Sequence, residues 1–115
     1  MKTTQIKWLN RVVVLSPTTD LLGGHETDEL SEAFRSVCTE GCQGIVVSCS
    51  NVRHINSTGL GVIVQCRREA QRIGTRIAIC FPPRTVDALR KELFFKHLPR
   101  VLETEEEAVR FCSER

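Results

Sequence analysis

A chain of 115 residues has the length of one domain, long enough to bury a single core. With a net charge of +2 and 26% charged residues it carries no strong field for nucleic acid, and no nucleic-acid-binding signature is present. The opening MKTTQIKWLN lacks the apolar core of a signal peptide, and no run reaches the roughly 18 apolar residues of a membrane span, so a cytoplasmic protein without direct membrane insertion is expected.

Gln5–Leu9 and Val12–Leu15 are strand-like runs parted by Asn10-Arg11, which predicts an antiparallel hairpin with Ile6 and Trp8 on one face and Lys7 on the other. Ser16–Gly24, broken by Pro17 and Gly23-Gly24, reads as a loop. The spacing of Leu30, Ala33, Phe34, Val37 and Cys38 predicts a helix over Glu26–Thr39, with acidic residues in its first turn and Gly41 as its stop. Ile45–Ser50 follows as a buried strand. A second helix is expected over Thr58–Ile73, with Val62, Ile63, Cys66, Ala70 and Ile73 on one side, Arg67, Arg68 and Arg72 toward the other, and Gly74 at its end. Arg76–Phe81 alternates as a strand ended by Pro82-Pro83, and Thr85–Phe94 reads as a third helix carrying Val86, Leu89, Leu93 and Phe94 inward. Arg100–Leu102 is a short last strand. Thr104-Glu105-Glu106-Glu107 fits a capping box that opens a fourth helix, with Ala108, Val109 and Phe111/Cys112 turned inward. A hairpin followed by alternating helices and strands implies one α/β domain over residues 1–115, with a mixed, mainly parallel sheet packed by about four helices.

The stretch Gly44–Val64 holds the candidate site. A β-branched strand feeds Asn56-Ser57-Thr58-Gly59-Leu60-Gly61 at a helix start, where unpaired N–H groups and the positive dipole end favour an added anion on Ser57 or Thr58. The same residues allow a plainer reading, in which Asn56 or Ser57 simply caps the helix. Gly59 and Gly61 each cost about 1 kcal/mol against alanine in a first helical turn, and either close backbone approach or a local packing constraint would explain them. The six cysteines read as small buried hydrophobes. Cys38 and Cys42 are four apart but have no CxxC pair or histidine partner, so no metal and no cofactor is expected. No nucleophile–base–acid set is present either, so the chain is not expected to be an enzyme.

The segment IVVSCSNVRHINSTGLGVIV resembles the signature of STAS domains, in particular bacterial anti-sigma factor antagonists. That signature runs from an apolar strand through Asp-Leu-Ser and a short loop to Asp-Ser-Ser/Thr-Gly-Leu-Gly and a helix. The order of elements agrees over essentially the whole chain, and RIGTRIAICFPPRTVDALRKELF is similar to the family's fourth strand and third helix. The match sets Ser57 at the phosphorylatable serine and Asn56 at the preceding aspartate. Ser48 replaces another aspartate, and Thr18–Gly24 departs from the usual Gly-x-Leu-Asp loop.

The resemblance implies a regulator of transcription that works by partner switching. The unmodified domain binds an anti-sigma factor that is also an ATP-dependent serine kinase, and so frees a sigma factor. Phosphorylation at Ser57, less so at Thr58, turns the domain off, and a serine phosphatase reverses the mark. On this reading Arg53, His54, Asn56, Ser57, Thr58, Gly59, Leu60 and Val64 form the contact surface. Leu60 and Val64, four apart, are open to two readings: an exposed apolar patch, or a wider buried face. Asn56 cannot lend a negative charge or accept a proton, so a non-switching STAS subunit or scaffold is the alternative, for example in a lipid-transport ABC system or a signalling assembly.

Overall fold

A computed structural model describes residues 3–114. The elements run β1 (Thr4–Leu9), β2 (Val12–Pro17), α1 (His25–Glu40), β3 (Gly44–Ser48), α2 (Ser57–Ile73), β4 (Arg76–Cys80), α3 (Pro83–Leu89), a 3₁₀ turn (Leu93–His97), β5 (Arg100–Leu102) and α4 (Glu105–Ser113). The five strands form one sheet in sequence order. β1 is antiparallel to β2, and every later pair is parallel. The mixed, mainly parallel sheet expected from the sequence is therefore present.

The hairpin closes with Leu9 opposite Val12, and Asn10 takes a φ of 60°, a conformation asparagine tolerates better than most residues. β2 runs two residues past its expected end, since Pro17 pairs with Thr4 at the strand terminus, where its missing N–H costs nothing.

Alternation along the strands divides the sheet into two faces. Val13, Leu15, Ile45, Val47, Ile77 and Ile79 point to one side and join residues of α1, α2 and α3 in the larger core. Val12, Val14, Val46 and Ala78 point to the other, where α4 covers them with Ala108 and Cys112. Ile6 and Trp8 share a face, as expected, but β1 is an edge strand and both remain at least 40% exposed.

Two expectations need correction. The third helix is not Thr85–Phe94. Pro83 starts it, as a proline suits the first helical position, and it ends at Leu89. Glu92 is extended (φ −86°, ψ 145°), which rotates the following turn so that Phe95 packs against the core while Leu93 is 87% exposed and Phe94 is 40% exposed. The apolar stripe of α2 also differs: it is Leu60, Ile63, Cys66 and Ala70, with Val62 half-buried and Ile73 exposed. Among the described residues, no helix is long and apolar enough to cross a membrane.

Candidate functional site at the start of α2

Two connections meet at the carboxyl ends of the central strands. Residues 18–24 join β2 to α1, and residues 49–56 join β3 to α2. They are joined by one parallel bridge, Leu21 to Ile55. The Leu21 amide donates to the His54 carbonyl (3.1 Å) and the Asn56 amide to the Leu21 carbonyl (3.2 Å). Asp20 adds a second clamp, because its Oδ1 accepts from the amides of Arg53 (2.9 Å) and His54 (3.0 Å). The His54 and then the Arg53 amide hold the Asp20 carboxyl below the usual carboxylate range, by favouring its charged form.

Asn56 is the N-cap of α2, with the extended backbone such a residue takes (φ −99°, ψ −178°). Its Oδ1 accepts from the Gly59 amide (3.0 Å), and its Nδ2 donates to the Leu22 carbonyl (2.8 Å). The capping reading therefore belongs to Asn56, and Ser57 is the first helical residue. Gly59 has no room for a side chain: a Cβ there would lie 2.4 Å from the Leu21 carbonyl oxygen and 3.0 Å from Ile55 Cγ1. Gly61 meets nothing within 4 Å. Of the two explanations for the glycines, close backbone approach holds at Gly59 and neither holds at Gly61.

The facing turn is braced as well. Glu26 Oε1 accepts from the amides of Leu22 (3.1 Å) and Gly24 (3.2 Å), and Thr27 Oγ1 accepts from Gly23 (2.9 Å). Gly23 has a φ of 89°, and a Cβ on it would meet Thr58 Cγ2 at 2.9 Å. Thr58 thus leans toward this turn. Ser57 is exposed, and its hydroxyl makes no hydrogen bond among the described residues. It stands at the positive end of a 17-residue helix, where an added anion is favoured.

Of the residues expected to form a contact surface, Arg53, His54, Asn56, Ser57 and Thr58 are exposed together. Gly59 and Leu60 are not available: both are buried, Leu60 at 4% exposure inside the larger core, and Val64 is half-buried against it. Of the two readings of Leu60 and Val64, the wider buried face is the one observed. Ser48, which replaces an aspartate of the family signature, is buried on the α4 side of the sheet, where its Oγ accepts from Cys80 Sγ. Its difference from aspartate therefore falls outside the surroundings of Ser57.

Two residues at the site were missed. Asp20 clamps the loop, and Leu22, 51% exposed, is tied to Asn56 through its backbone carbonyl. The one signal in the sequence was an aspartate in a loop rich in turn residues, a type that often accepts from nearby amides. Beside the loops, Thr18, Ser50, Arg53, His54, Arg84 and Thr85 help wall an open cleft of about 920 Å³, a cationic and hydroxyl-lined surface.

The thiols offer the site no reactive group: Cys49, in the β3–α2 connection, is fully buried, and the others lie outside the two loops. Burial pushes Cys66 up to about 12 and Cys42 up to about 11, away from the thiolate form that binds metals or reacts. Among the described residues no three His, Cys, Asp or Glu side chains gather as a metal site.

A family model for the STAS domain matches residues 4–108. No curated protein matches the chain. Among solved structures, an anti-sigma factor antagonist from Mycobacterium paratuberculosis is 18% identical, with a TM-score of 0.78 over 97% of this chain and 94% of that one. The anti-sigma factor antagonist SpoIIAA in its unphosphorylated form is 21% identical, with a TM-score of 0.72 over 94% and 96% of the two chains. The phosphorylated form of SpoIIAA, a Bacillus cell fate determinant, is 18% identical, with a TM-score of 0.69 over 94% and 97%. At these identities the likeness is one of fold.

Proposed function

The chain belongs to the STAS domain family, and on that premise we propose that it is a protein-binding regulator of the anti-sigma factor antagonist type. In this reading the unmodified protein binds an anti-sigma factor that is a serine kinase, and a sigma factor is released. The kinase then transfers phosphate to Ser57, which ends the interaction until a serine phosphatase removes it. The chain is a substrate and a binding partner, and carries no catalysis of its own.

The observation that carries the proposal is the state of Ser57. Its hydroxyl is exposed, free of hydrogen bonds among the described residues and set at the first position of α2, on a turn whose geometry other residues fix. A phosphate there adds about −1.5 to −2 charge at pH 7, which the helix terminus tolerates within the domain. The same charge inside an interface must be desolvated, and a difference of about 1.4 kcal/mol between the two states already means tenfold in affinity. Among the described residues no carboxylate is hydrogen-bonded to the Ser57 hydroxyl, so the base for phosphotransfer comes from the kinase.

Asn56 favours a second reading, a STAS subunit or scaffold that binds without being switched. One experiment separates the two. The purified protein is incubated with ATP and candidate anti-sigma serine kinases, sought first beside its gene, and phosphate is mapped by intact and peptide mass spectrometry. Stoichiometric phosphate on Ser57, lost in Ser57→Ala, supports the switch. A tight complex without transfer supports the scaffold, and neither binding nor transfer refutes the antagonist assignment.

A further inference from the structure

We propose that Asn56 is a positioning residue whose side-chain N–H staples the Leu22 turn beside Ser57, so that Leu22 and Ser57 meet the partner as one preformed surface. The identity of the partner rests on the kinase-binding reading above, whereas the staple rests on geometry alone.

The orientation of the Asn56 amide is dictated by its neighbours. The Gly59 amide requires an acceptor and the Leu22 carbonyl a donor, and only one orientation serves both, at 3.0 and 2.8 Å. Aspartate and asparagine are comparable N-caps, so capping gives no reason to prefer either. The contact with Leu22, 34 residues away, does distinguish them. An aspartate would set a carboxylate oxygen against the carbonyl oxygen of Leu22, two acceptors with no proton between them. Asparagine at this position therefore adds a link between the two loops that the acid cannot make.

The link acts on a turn with an unusual surface. Leu21 is fully buried, while Leu22, the next residue, is 51% exposed. The Leu22 backbone is held from both sides, its N–H by Glu26 and its carbonyl by Asn56. The amides of Gly23 and Gly24 are bound to Thr27 and Glu26. An apolar side chain on a backbone fixed in this way is ordered before any partner arrives, which lowers the entropic cost of binding. The partner is then a protein with an apolar pocket adjoining the position that receives Ser57.

Asn56→Asp and Asn56→Ser test this in the full chain. Both keep a capping acceptor and both lose the Nδ2 donor; aspartate is acceptor-only and adds charge, whereas serine adds no charge and keeps a shorter O–H donor. Amide hydrogen exchange in each variant should speed up at Leu22, Gly23 and Gly24 by about fivefold, the worth of one hydrogen bond, with protection at Gly59 retained. Calorimetric titration with the anti-sigma serine kinase that binds the unsubstituted protein should show about fivefold weaker binding for both, and for Leu22→Ala, whose backbone bonds are intact. Unchanged exchange at residues 22–24 in Asn56→Asp, which has no side-chain donor, overturns the staple. Wild-type affinity in Leu22→Ala overturns the shared surface. If the unsubstituted protein binds no kinase while exchange changes as expected, the functional reading and the shared surface fall and the staple stands.

Discussion

Gly59 and Gly61 lie two residues apart in the same helix, and alanine should act on them with opposite signs. In a helix alanine is favoured over glycine by about 0.5–1 kcal/mol. Gly61 has open space where the Cβ would go, so Gly61→Ala should gain most of this amount. At Gly59 the same gain meets a carbonyl oxygen 2.4 Å away. That oxygen cannot swing aside freely, because it accepts from the Asn56 amide and belongs to the Leu21–Ile55 bridge. Overpacking of this kind costs about 1–3 kcal/mol, and breaking the bridge bond adds about 1 kcal/mol. Gly59→Ala should thus lose about 1–3 kcal/mol net. For a chain of this length about 1 kcal/mol moves the melting temperature by roughly 4 °C. Far-UV circular dichroism should then show Gly61→Ala melting about 2–4 °C above the parent and Gly59→Ala about 4–12 °C below it. Urea unfolding should give shifted midpoints at unchanged slopes. If Gly59→Ala melts at or above the parent, the close approach does not constrain the protein and the account of the paired loops is wrong.

Three further outcomes follow from other parts of the molecule. Asp20 has its pKa lowered by the His54 and Arg53 amides, so its stabilising contribution is present above its unfolded pKa of about 3.8 and is lost as pH falls through the lower folded value. Nuclear magnetic resonance should show the Arg53 and His54 amide shifts holding through pH 4 and moving together only below it. A Cβ on Gly44 would lie 2.4 Å from Cys112 Cβ and 2.8 Å from its carbonyl oxygen, so Gly44→Ala should lose about 1–3 kcal/mol in denaturant melts. Cys112→Gly in the same chain should recover part of that loss, which a double-mutant cycle would measure. Finally, burial raises the Cys42, Cys66 and Cys112 thiols to about 11, 12 and 11, so alkylation of the native protein at pH 8 should be slow and should accelerate on unfolding, read by mass spectrometry.

What was legible in the sequence was what short stretches decide. The Ile45-Val46-Val47 run, the three-four spacing of α1, and the N-cap before Thr58 each state their structure within a few residues, and the sheet follows from their order. The third helix failed because Leu93 continues the spacing of Val86 and Leu89, while the extended backbone at Glu92 turns it outward; periodicity reads spacing and not a break in the axis. Leu60 was left open because Gly59 hides how closely that turn approaches Leu21. Strand alternation could have excluded Ser48, since adjacent residues of a strand face opposite sides and Val47 faces α2. Asp20 and Leu22 were beyond reach, because their partners lie more than 30 residues away and depend on two loops meeting in space.

The unequal covering of the two sheet faces has a thermodynamic consequence. Among the described residues, twenty buried apolar residues hold α1, α2 and α3 to one face, and six hold α4 to the other. Detaching α4 uncovers Val12, Val14, Val46 and Ala78 but leaves the larger core intact, so that helix should open in a subglobal fluctuation below the free energy of complete unfolding. Ser57 and its two loops belong to the thicker layer, with the whole sheet between them and α4. Opening of the α4 side should therefore leave the end that carries Ser57 in its folded shape.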